Sequence, residues 1–178
     1  LFELHAQYSR ENHEENRFGH YLLSDPIAKG GMAELFMAKK VGQHGFVKTV
    51  VLKKILPHLS DQPEFIAMFI EEAKKSAMLD HSNIVRTDDF GEIIQNDAYG
   101  RERKDYFISM EFVHGKNLQE LLKERGRAFP IDASCFIAAQ VCRGLEYAHQ
   151  KGIIHRDISP HNIMISFGGD IKITDFGI

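Results

Sequence analysis

The spacing of apolar residues changes along the chain, and this change constrains the fold more than any other feature. Three short extended runs, "HYLLS", "ELFMAKK" and "KTVVLKK", occupy the region from Phe18 to about Val51 and are separated by glycines. Such runs, joined by glycine turns, predict an antiparallel meander. Two further strands are predicted at 84–94 and 105–113.

Helical spacing follows the meander and dominates the second half of the chain. Capping boxes, in which two polar side chains three positions apart close the first helical turn, are predicted at Asp61/Glu64 and at Asn117/Glu120. A longer helix is predicted over 132–150. Strands first and helices second indicate an α+β fold with two lobes.

Composition narrows the class of protein. The chain has 178 residues, 43% of them hydrophobic and 26% charged, which is typical of a globular domain and excludes a wholly disordered one. Its formal charge of −3 disfavours nonspecific nucleic-acid binding, which needs a basic surface. No apolar run approaches the roughly 20 residues that span a bilayer, so no membrane segment is expected within the chain. Residues 1–17 are polar and are predicted to form an N-terminal tail rather than a secretory signal.

The two cysteines are too few for a disulfide framework. Cys135 and Cys142 are seven residues apart, which places them near one face of a helix. We therefore predict two buried thiols and a reducing, cytoplasmic location.

The residues with the clearest chemical potential lie near the end of the chain. Asp157 and Asn162 fall in the segment "HRDISPHN", and Asp175 begins "DFG" thirteen residues after Asn162. An Asp can accept a proton, and an Asp–Asn pair suits Mg²⁺, which is bound by few protein oxygens. Turn-forming Asp and Asn also cluster in loops for structural reasons, which is the alternative for any one of them alone.

This arrangement resembles the catalytic loop and the metal-binding DFG triplet of the protein kinase family. The "GGM" step near residue 31 is similar to bacterial relatives of the eukaryotic Ser/Thr kinases. The resemblance covers about residues 20–178 and implies a two-lobed kinase-like fold, with an antiparallel five-stranded small lobe carrying one helix and a mainly helical, truncated large lobe. The implied domains are a small lobe at 18–110, a hinge at 111–117 and a partial large lobe at 118–178.

Upstream positions extend the resemblance. Lys53 ends "VVLK" and corresponds to the lysine on the family's third strand, and Glu72 follows nineteen residues later where the family places its partner. Lys54 is the alternative lysine, which strand alternation disfavours. An ordinary surface charge pair is the alternative for Lys53 and Glu72.

A weaker match is the loop that covers phosphates in the family, G-x-G-x-x-G-x-V. Ala28 and Ala33 replace its first and third glycines, and alanine lacks the φ freedom of glycine. Taken alone, the segment is merely a turn. The residues implied to contact ATP here are Ile27, Ala28, Lys29, Gly30, Gly31, Met32, Ala33, Glu34 and Leu35.

The segment "FISMEFVHGKNL" resembles the family's hinge. Met110 would be the gatekeeper residue, Glu111 would offer a backbone carbonyl to adenine, and Val113 would offer a backbone N–H. As an apolar strand alone, the segment would be part of a core.

The resemblance implies transfer of the ATP γ-phosphoryl group to Ser/Thr hydroxyls of proteins. Lys53 would hold the α/β-phosphates and be oriented by Glu72. Asn162 and Asp175 would hold Mg²⁺, and Asp157 would orient the acceptor hydroxyl and take its proton.

Several departures keep other functions open. Ser159 stands where many Ser/Thr kinases have a lysine, which, with Ala28 and Ala33, leaves a non-catalytic pseudokinase or scaffold as one alternative. A small-molecule phosphotransferase is another. The chain ends one residue after Gly177, and we expect this piece alone to be inactive toward proteins.

Overall fold

The computed structural model describes residues 16–96, 100 and 102–176. Contacts divide the chain into two compact units. Unit 1 contains the described residues up to Gln62 together with Phe90–Phe112, and unit 2 contains Pro63–Asp89 and the described residues from Val113 onward. Most of the predicted tail and Gly177 lie outside the described residues, and the domain boundaries predicted from the resemblance stay predictions.

A six-stranded sheet forms the framework of unit 1, in the order β1-β2-β3-β4-β6-β5. The five long strands confirm the predicted sheet, and a two-residue strand is added at its edge. The strands are β1 (Arg17–Phe18), β2 (Tyr21–Lys29), β3 (Ala33–Val41), β4 (Val47–Ile55), β5 (Thr87–Asn96) and β6 (Glu102–Glu111).

The core of unit 1 covers one face of this sheet. Val50 and Leu52 are fully buried because alternate residues of β4 point to the same face. Phe107 packs beside them, and its ring meets those of Phe18 and Tyr21 edge to face, with centroids 5.6 and 5.3 Å apart. These aromatic contacts join β1 and β2 to β6 across one face of the sheet.

Unit 2 combines helices with a small antiparallel sheet in the order β7-β8-β9. Its strands are short because the chain turns back after three or four residues. The elements are α1 (Pro63–Ala77), β7 (Gly115–Asn117), α2 (Leu118–Arg125), α3 (Ile131–Gln150), β8 (Ile163–Ser166) and β9 (Ile171–Ile173).

One of the two predicted capping boxes is confirmed. The Asn117 side chain accepts from the Glu120 N–H at 2.8 Å, and the Glu120 carboxylate accepts from the Asn117 N–H at 3.1 Å. The other is wrong, since α1 begins at Pro63 and Gln62, rather than Asp61, precedes it. Proline suits the first helical position because it lacks an N–H that would be unpaired there.

Helix α3 buries one stripe of small and branched residues: Ile137, Val141, Gly144 and Ala148. Cys135 and Cys142 lie on the other side and are exposed, so the prediction of buried thiols is wrong. Seven-residue spacing does place both cysteines on one face, but the tertiary packing of α3 chose the opposite face as its core side.

Strand β5 begins later than predicted because the residues before it pair with β9. The Val85 N–H donates to the Ile173 carbonyl at 2.8 Å, and the Ile173 N–H donates to the Asn83 carbonyl at 2.8 Å. The buried Asn83 side chain also donates to the Ile171 carbonyl at 2.9 Å and to Gln140 Oε1 on α3 at 3.2 Å. These bonds fix β9, which leads directly to Asp175.

Among the described residues of both units, no helix is both long and apolar enough to cross a bilayer.

Candidate active site

The predicted phosphate segment is a hairpin within unit 1. It comprises the end of β2, a turn at 30–32 and the start of β3. The Gly30 N–H closes the turn by donating to the Ala33 carbonyl at 2.9 Å. Lys29 and Glu34 face each other across the two strands, with Nζ and Oε1 2.9 Å apart.

The two alanines of this hairpin sit in extended strands. Ala28 pairs with Leu35 in the β2–β3 ladder, and Ala33 begins β3 opposite Ile55. None of the turn glycines or these alanines has a positive φ. The expected penalty from lost φ freedom therefore does not arise, because alanine adopts strand conformations readily.

The face of the sheet that carries Lys53 also carries other predicted nucleotide-binding positions. Lys53 lies between Leu35 on β3 and Ile108 on β6, and Met110 pairs with Val51 two residues away. Residues directly opposite in an antiparallel ladder point to the same side. Cross-strand register thus brings Leu35, Lys53 and Met110 to one face.

Lys54 points to the opposite face of β4, as strand alternation requires. Its Nζ lies 3.6 Å from Asp105 Oδ2 and 4.1 Å from the centroid of the Phe18 ring. This placement favours Lys53 as the nucleotide-binding lysine.

The remaining residues predicted to bind the nucleotide or to orient Lys53 are divided between the two units. Glu111 ends β6 opposite Val50 in unit 1, whereas Val113 belongs to unit 2. Glu72 lies half-buried on α1 of unit 2. The pairing of Lys53 with Glu72 stays a prediction.

The predicted catalytic loop is built around a buried histidine in unit 2. His155 is 1% exposed, and its Nδ1 accepts from the Asp157 N–H at 3.3 Å. Its Nε2 lies 2.9 Å from the Thr174 carbonyl, so this nitrogen must carry the proton and donate. The ring also contacts Phe176, with centroids 4.6 Å apart. His155 therefore ties the loop to the segment that carries Asp175.

Asn162 orients Asp157 by using both of its amide hydrogens. Its Nδ2 donates to the Asp157 carbonyl at 2.9 Å and to Asp157 Oδ2 at 3.1 Å. Because both neighbours of this Asn162 atom are acceptor oxygens, the atom must be the donating nitrogen of the amide. The main-chain carbonyl of Asn162 accepts a hydrogen bond from the Thr174 N–H at 3.0 Å. This bond is a second link to the segment that carries Asp175.

Two residues of this region adopt left-handed backbone conformations. Arg156 has φ 68° and Asp175 has φ 57°. A left-handed residue other than glycine costs about 1–3 kcal/mol unless the surroundings hold it, and such residues cluster at functional sites. Arg156 is exposed, beside the exposed carboxylate of Asp157.

The donor set fits Mg²⁺. Because Nδ2 of Asn162 faces Asp157, Oδ1 points elsewhere, and none of the residues that the structure describes donates a hydrogen bond to it. Amide and carboxylate oxygens, as supplied by Asn162 and Asp175, are the ligands that this hard cation prefers.

Sequence reasoning gave His155 no role. A histidine that is two residues before a candidate base could have been examined as an orienting group. Its burial and its bond to Thr174, nineteen residues away, follow only from the tertiary structure. Ser159 accepts the Asn162 N–H at 3.0 Å through its carbonyl and supplies no cation.

Comparison with known proteins defines the class. The family model "Protein kinase domain" matches residues 21–178. This chain belongs to the protein kinase family, and the predicted resemblance and two-lobed kinase-like fold are confirmed.

Among similar proteins are the tyrosine-protein kinase MasK of Myxococcus xanthus and the serine/threonine-protein kinase PrkC of Bacillus subtilis. MasK is 37% identical over 172 residues, covering 90% of this chain and 25% of MasK. PrkC is 38% identical over 160 residues, covering 90% of this chain and 23% of PrkC. The chain therefore spans about a quarter of the length of these relatives.

A solved relative is the PknI kinase domain of Mycobacterium tuberculosis. Its crystal structure superposes with a TM-score of 0.70 at 29% identity, covering 91% of this chain and 61% of that one.

Proposed function

We propose that this chain is the nucleotide-binding and phosphoryl-transferring part of a Ser/Thr protein kinase that uses ATP and Mg²⁺. The observation that carries the proposal is the orientation of Asp157 by Asn162, bonded in turn to the segment that presents Asp175. A pseudokinase would not need a base oriented in this way. The kinase relatives of the chain support a phosphotransferase.

In the proposed reaction, Asp157 handles the proton of the acceptor hydroxyl. Its Oδ2 is engaged by Asn162, which leaves Oδ1 for the hydroxyl of the protein substrate. The hydroxyl oxygen attacks the γ-phosphorus, the bond to the β–γ bridging oxygen breaks, ADP leaves with the bonding electrons, and Asp157 takes the proton.

The other proposed residues hold the nucleotide. Lys53 binds the α/β-phosphates, the backbone of the 27–35 hairpin covers them, and the main chain at Glu111 and Val113 binds adenine. Asn162 and Asp175 would hold Mg²⁺, which neutralises phosphate charge when bound. Catalysis in this scheme is positioning and charge stabilisation, so each of these groups matters by orders of magnitude.

The first test removes one charge from each unit. Because this chain covers 61% of the PknI kinase-domain structure, the assay uses a longer protein that includes it. We expect Lys53→Met and Asp175→Asn each to lower transfer of radiolabelled γ-phosphate by at least about 100-fold. Asparagine tolerates the left-handed conformation of Asp175, so that variant removes charge without new strain.

Matched substitutions control for general damage. Lys39→Met and Asp61→Asn change exposed residues of the same types, and we expect near-normal rates from both. Near-normal transfer by the Lys53 or Asp175 variant would contradict the proposal.

The acceptor hydroxyl is tested separately, because the similar proteins include both a tyrosine-protein kinase and serine/threonine-protein kinases. Phosphoamino-acid analysis of a labelled mixed protein substrate should show phosphoserine and phosphothreonine. Label confined to tyrosine would overturn the Ser/Thr assignment, and label on a small molecule but not on protein would favour the small-molecule alternative. A cytoplasmic location stays a prediction.

A further inference from the structure

Unit 1 contains an open cavity of ≈ 230 Å³ on the side of the sheet away from Lys53. Phe18, Leu23, Pro26 and Phe36 form its apolar walls, and Lys54 lies among them. None of the residues proposed above to bind nucleotide lines this cavity. Its chemistry therefore needs an explanation of its own.

Lys54 is a half-buried cation with aromatic neighbours. Its side chain is 18% exposed, and its Nζ lies 4.1 and 5.8 Å from the ring centroids of Phe18 and Phe36. Aromatic faces attract a cation but do not neutralise it. The Lys54 amine is thus partly shielded from water, with aromatic rings rather than hydrogen-bond acceptors on one side.

Lys54 shares its nearest carboxylate with a second cation. Asp105 is 1% exposed and already receives two hydrogen bonds from Arg103, Nε to Oδ1 at 2.8 Å and a terminal nitrogen to Oδ2 at 3.0 Å. Lys54 reaches the same carboxylate only at 3.6 Å. One buried carboxylate therefore lies between two cations, and the more closely bonded of them is Arg103.

The direction of the Lys54 pKa shift reflects the same surroundings. Burial lowers the pKa of the Lys54 amine, and the positive charge of Arg103 lowers it further, while Asp105 and Glu34 oppose the shift. Glu34 is itself paired with Lys29 at 2.9 Å. An anion beside Nζ would offset both the cost of burying the Lys54 amine and its repulsion by Arg103.

We propose that this cavity binds a small organic anion, with its carboxylate paired to Lys54 and a flat apolar part against Phe36 and Pro26. Arg17 adds a second positive charge to the lining, and Asp25 is the one negative side chain among the described residues that line the cavity. Because ligand sites for drug-sized molecules measure about 300–1,000 Å³, this smaller cavity fits an anion of roughly ten non-hydrogen atoms. Lys54 is a specificity-determining residue in this proposal.

Benzoate is a suitable probe, and benzamide is its uncharged counterpart of nearly the same shape. Each is titrated into a longer protein that includes this chain, with binding followed by the NMR shifts of residues around Lys54. We expect saturable shifts with benzoate and at least tenfold weaker binding of benzamide. Equal affinity for the two probes would overturn the proposal. So would a benzoate titration in which the NMR signals of residues around Lys54 do not shift.

Two substitutions sharpen the result. Lys54→Met should weaken benzoate binding at least tenfold, whereas Asp25→Asn should leave it unchanged or tighter because a repelling carboxylate is removed. Unchanged binding by a folded Lys54→Met variant would also overturn the proposal. If that variant does not fold, the benzoate–benzamide comparison on the native chain decides alone. Neither readout depends on phosphotransfer.

Discussion

The 27–35 hairpin of unit 1 and the 155–162 loop of unit 2 both carry proposed functional residues, yet they are built differently. The hairpin is shaped by backbone pairing, its turn is exposed, and its glycines avoid the left-handed region. The 155–162 loop is held largely by side chains: the His155 ring bonds to Asp157 and Thr174, and the Asn162 amide bonds to Asp157. The main-chain carbonyl of Asn162 adds a bond to Thr174.

This difference predicts where substitutions are tolerated. A hairpin defined by main-chain bonds accepts small changes of side chain, which explains how Ala28 and Ala33 can replace glycine. A loop held by specific side-chain bonds does not, because removing the buried His155 ring would leave its donor and acceptor partners unpaired. The loop also maintains two left-handed residues that relax if the bonds fail.

The sharpest test of this comparison is Asp157→Asn in a longer protein containing the chain. We expect phosphotransfer to fall by about 100- to 10,000-fold, because the asparagine cannot accept the proton. ATP affinity measured by calorimetry should change less than about threefold, since Asp157 addresses the acceptor rather than the nucleotide. Loss of nucleotide binding in parallel with rate would assign Asp157 a different role.

The next test removes the buried histidine. His155→Phe keeps an aromatic ring but leaves the Thr174 carbonyl and the Asp157 N–H unpaired, and we expect the free energy of unfolding to fall by about 3 kcal/mol. Urea denaturation measures this change. His149→Phe, on the exposed side of α3, should change stability by less than about 0.5 kcal/mol, and equal effects from both variants would refute the role given to His155.

A pair of Gly→Ala substitutions compares the two units through smaller expected changes in the free energy of unfolding. At Gly144 an added Cβ would lie 3.0 Å from both the Asn83 carbonyl and Ile173 Cδ1, so Gly144→Ala should cost about 1–2 kcal/mol. At Gly31 an added Cβ would meet none of the described atoms within 4 Å, so Gly31→Ala should stay within about 1 kcal/mol of neutral. Thermal unfolding of the two variants gives the answer, and the reverse order of stability would contradict this account.

The smallest expected effect is at Ser109, whose hydroxyl is fully buried on β6 and has no hydrogen-bond partner among the described residues. Ser109→Ala removes this unpaired group at little loss of volume, and we expect it to be neutral or to stabilise by up to about 1 kcal/mol. A loss of more than about 1 kcal/mol in urea denaturation would show that the hydroxyl has a partner.

Local features of the sequence predicted what depends on neighbours within a few residues. The capping box at Asn117 and Glu120 is such a feature, since both of its bonds span three residues. Strand alternation separated Lys53 from Lys54, and the spacing of Asp157, Asn162 and Asp175 identified the family. Each of these patterns is governed by backbone geometry or by a chemical motif carried on one short stretch of chain.

Tertiary structure alone decided the features that join distant segments. It placed Cys135 and Cys142 on the exposed side of α3, because the core side of a helix depends on what packs against it. It moved the start of β5 by pairing Val85 with Ile173. It also made His155 the link between Asp157 and Thr174 and set Lys54 beside a carboxylate already held by Arg103. No periodicity records such contacts, since the partners are far apart in sequence and meet only when the chain is folded.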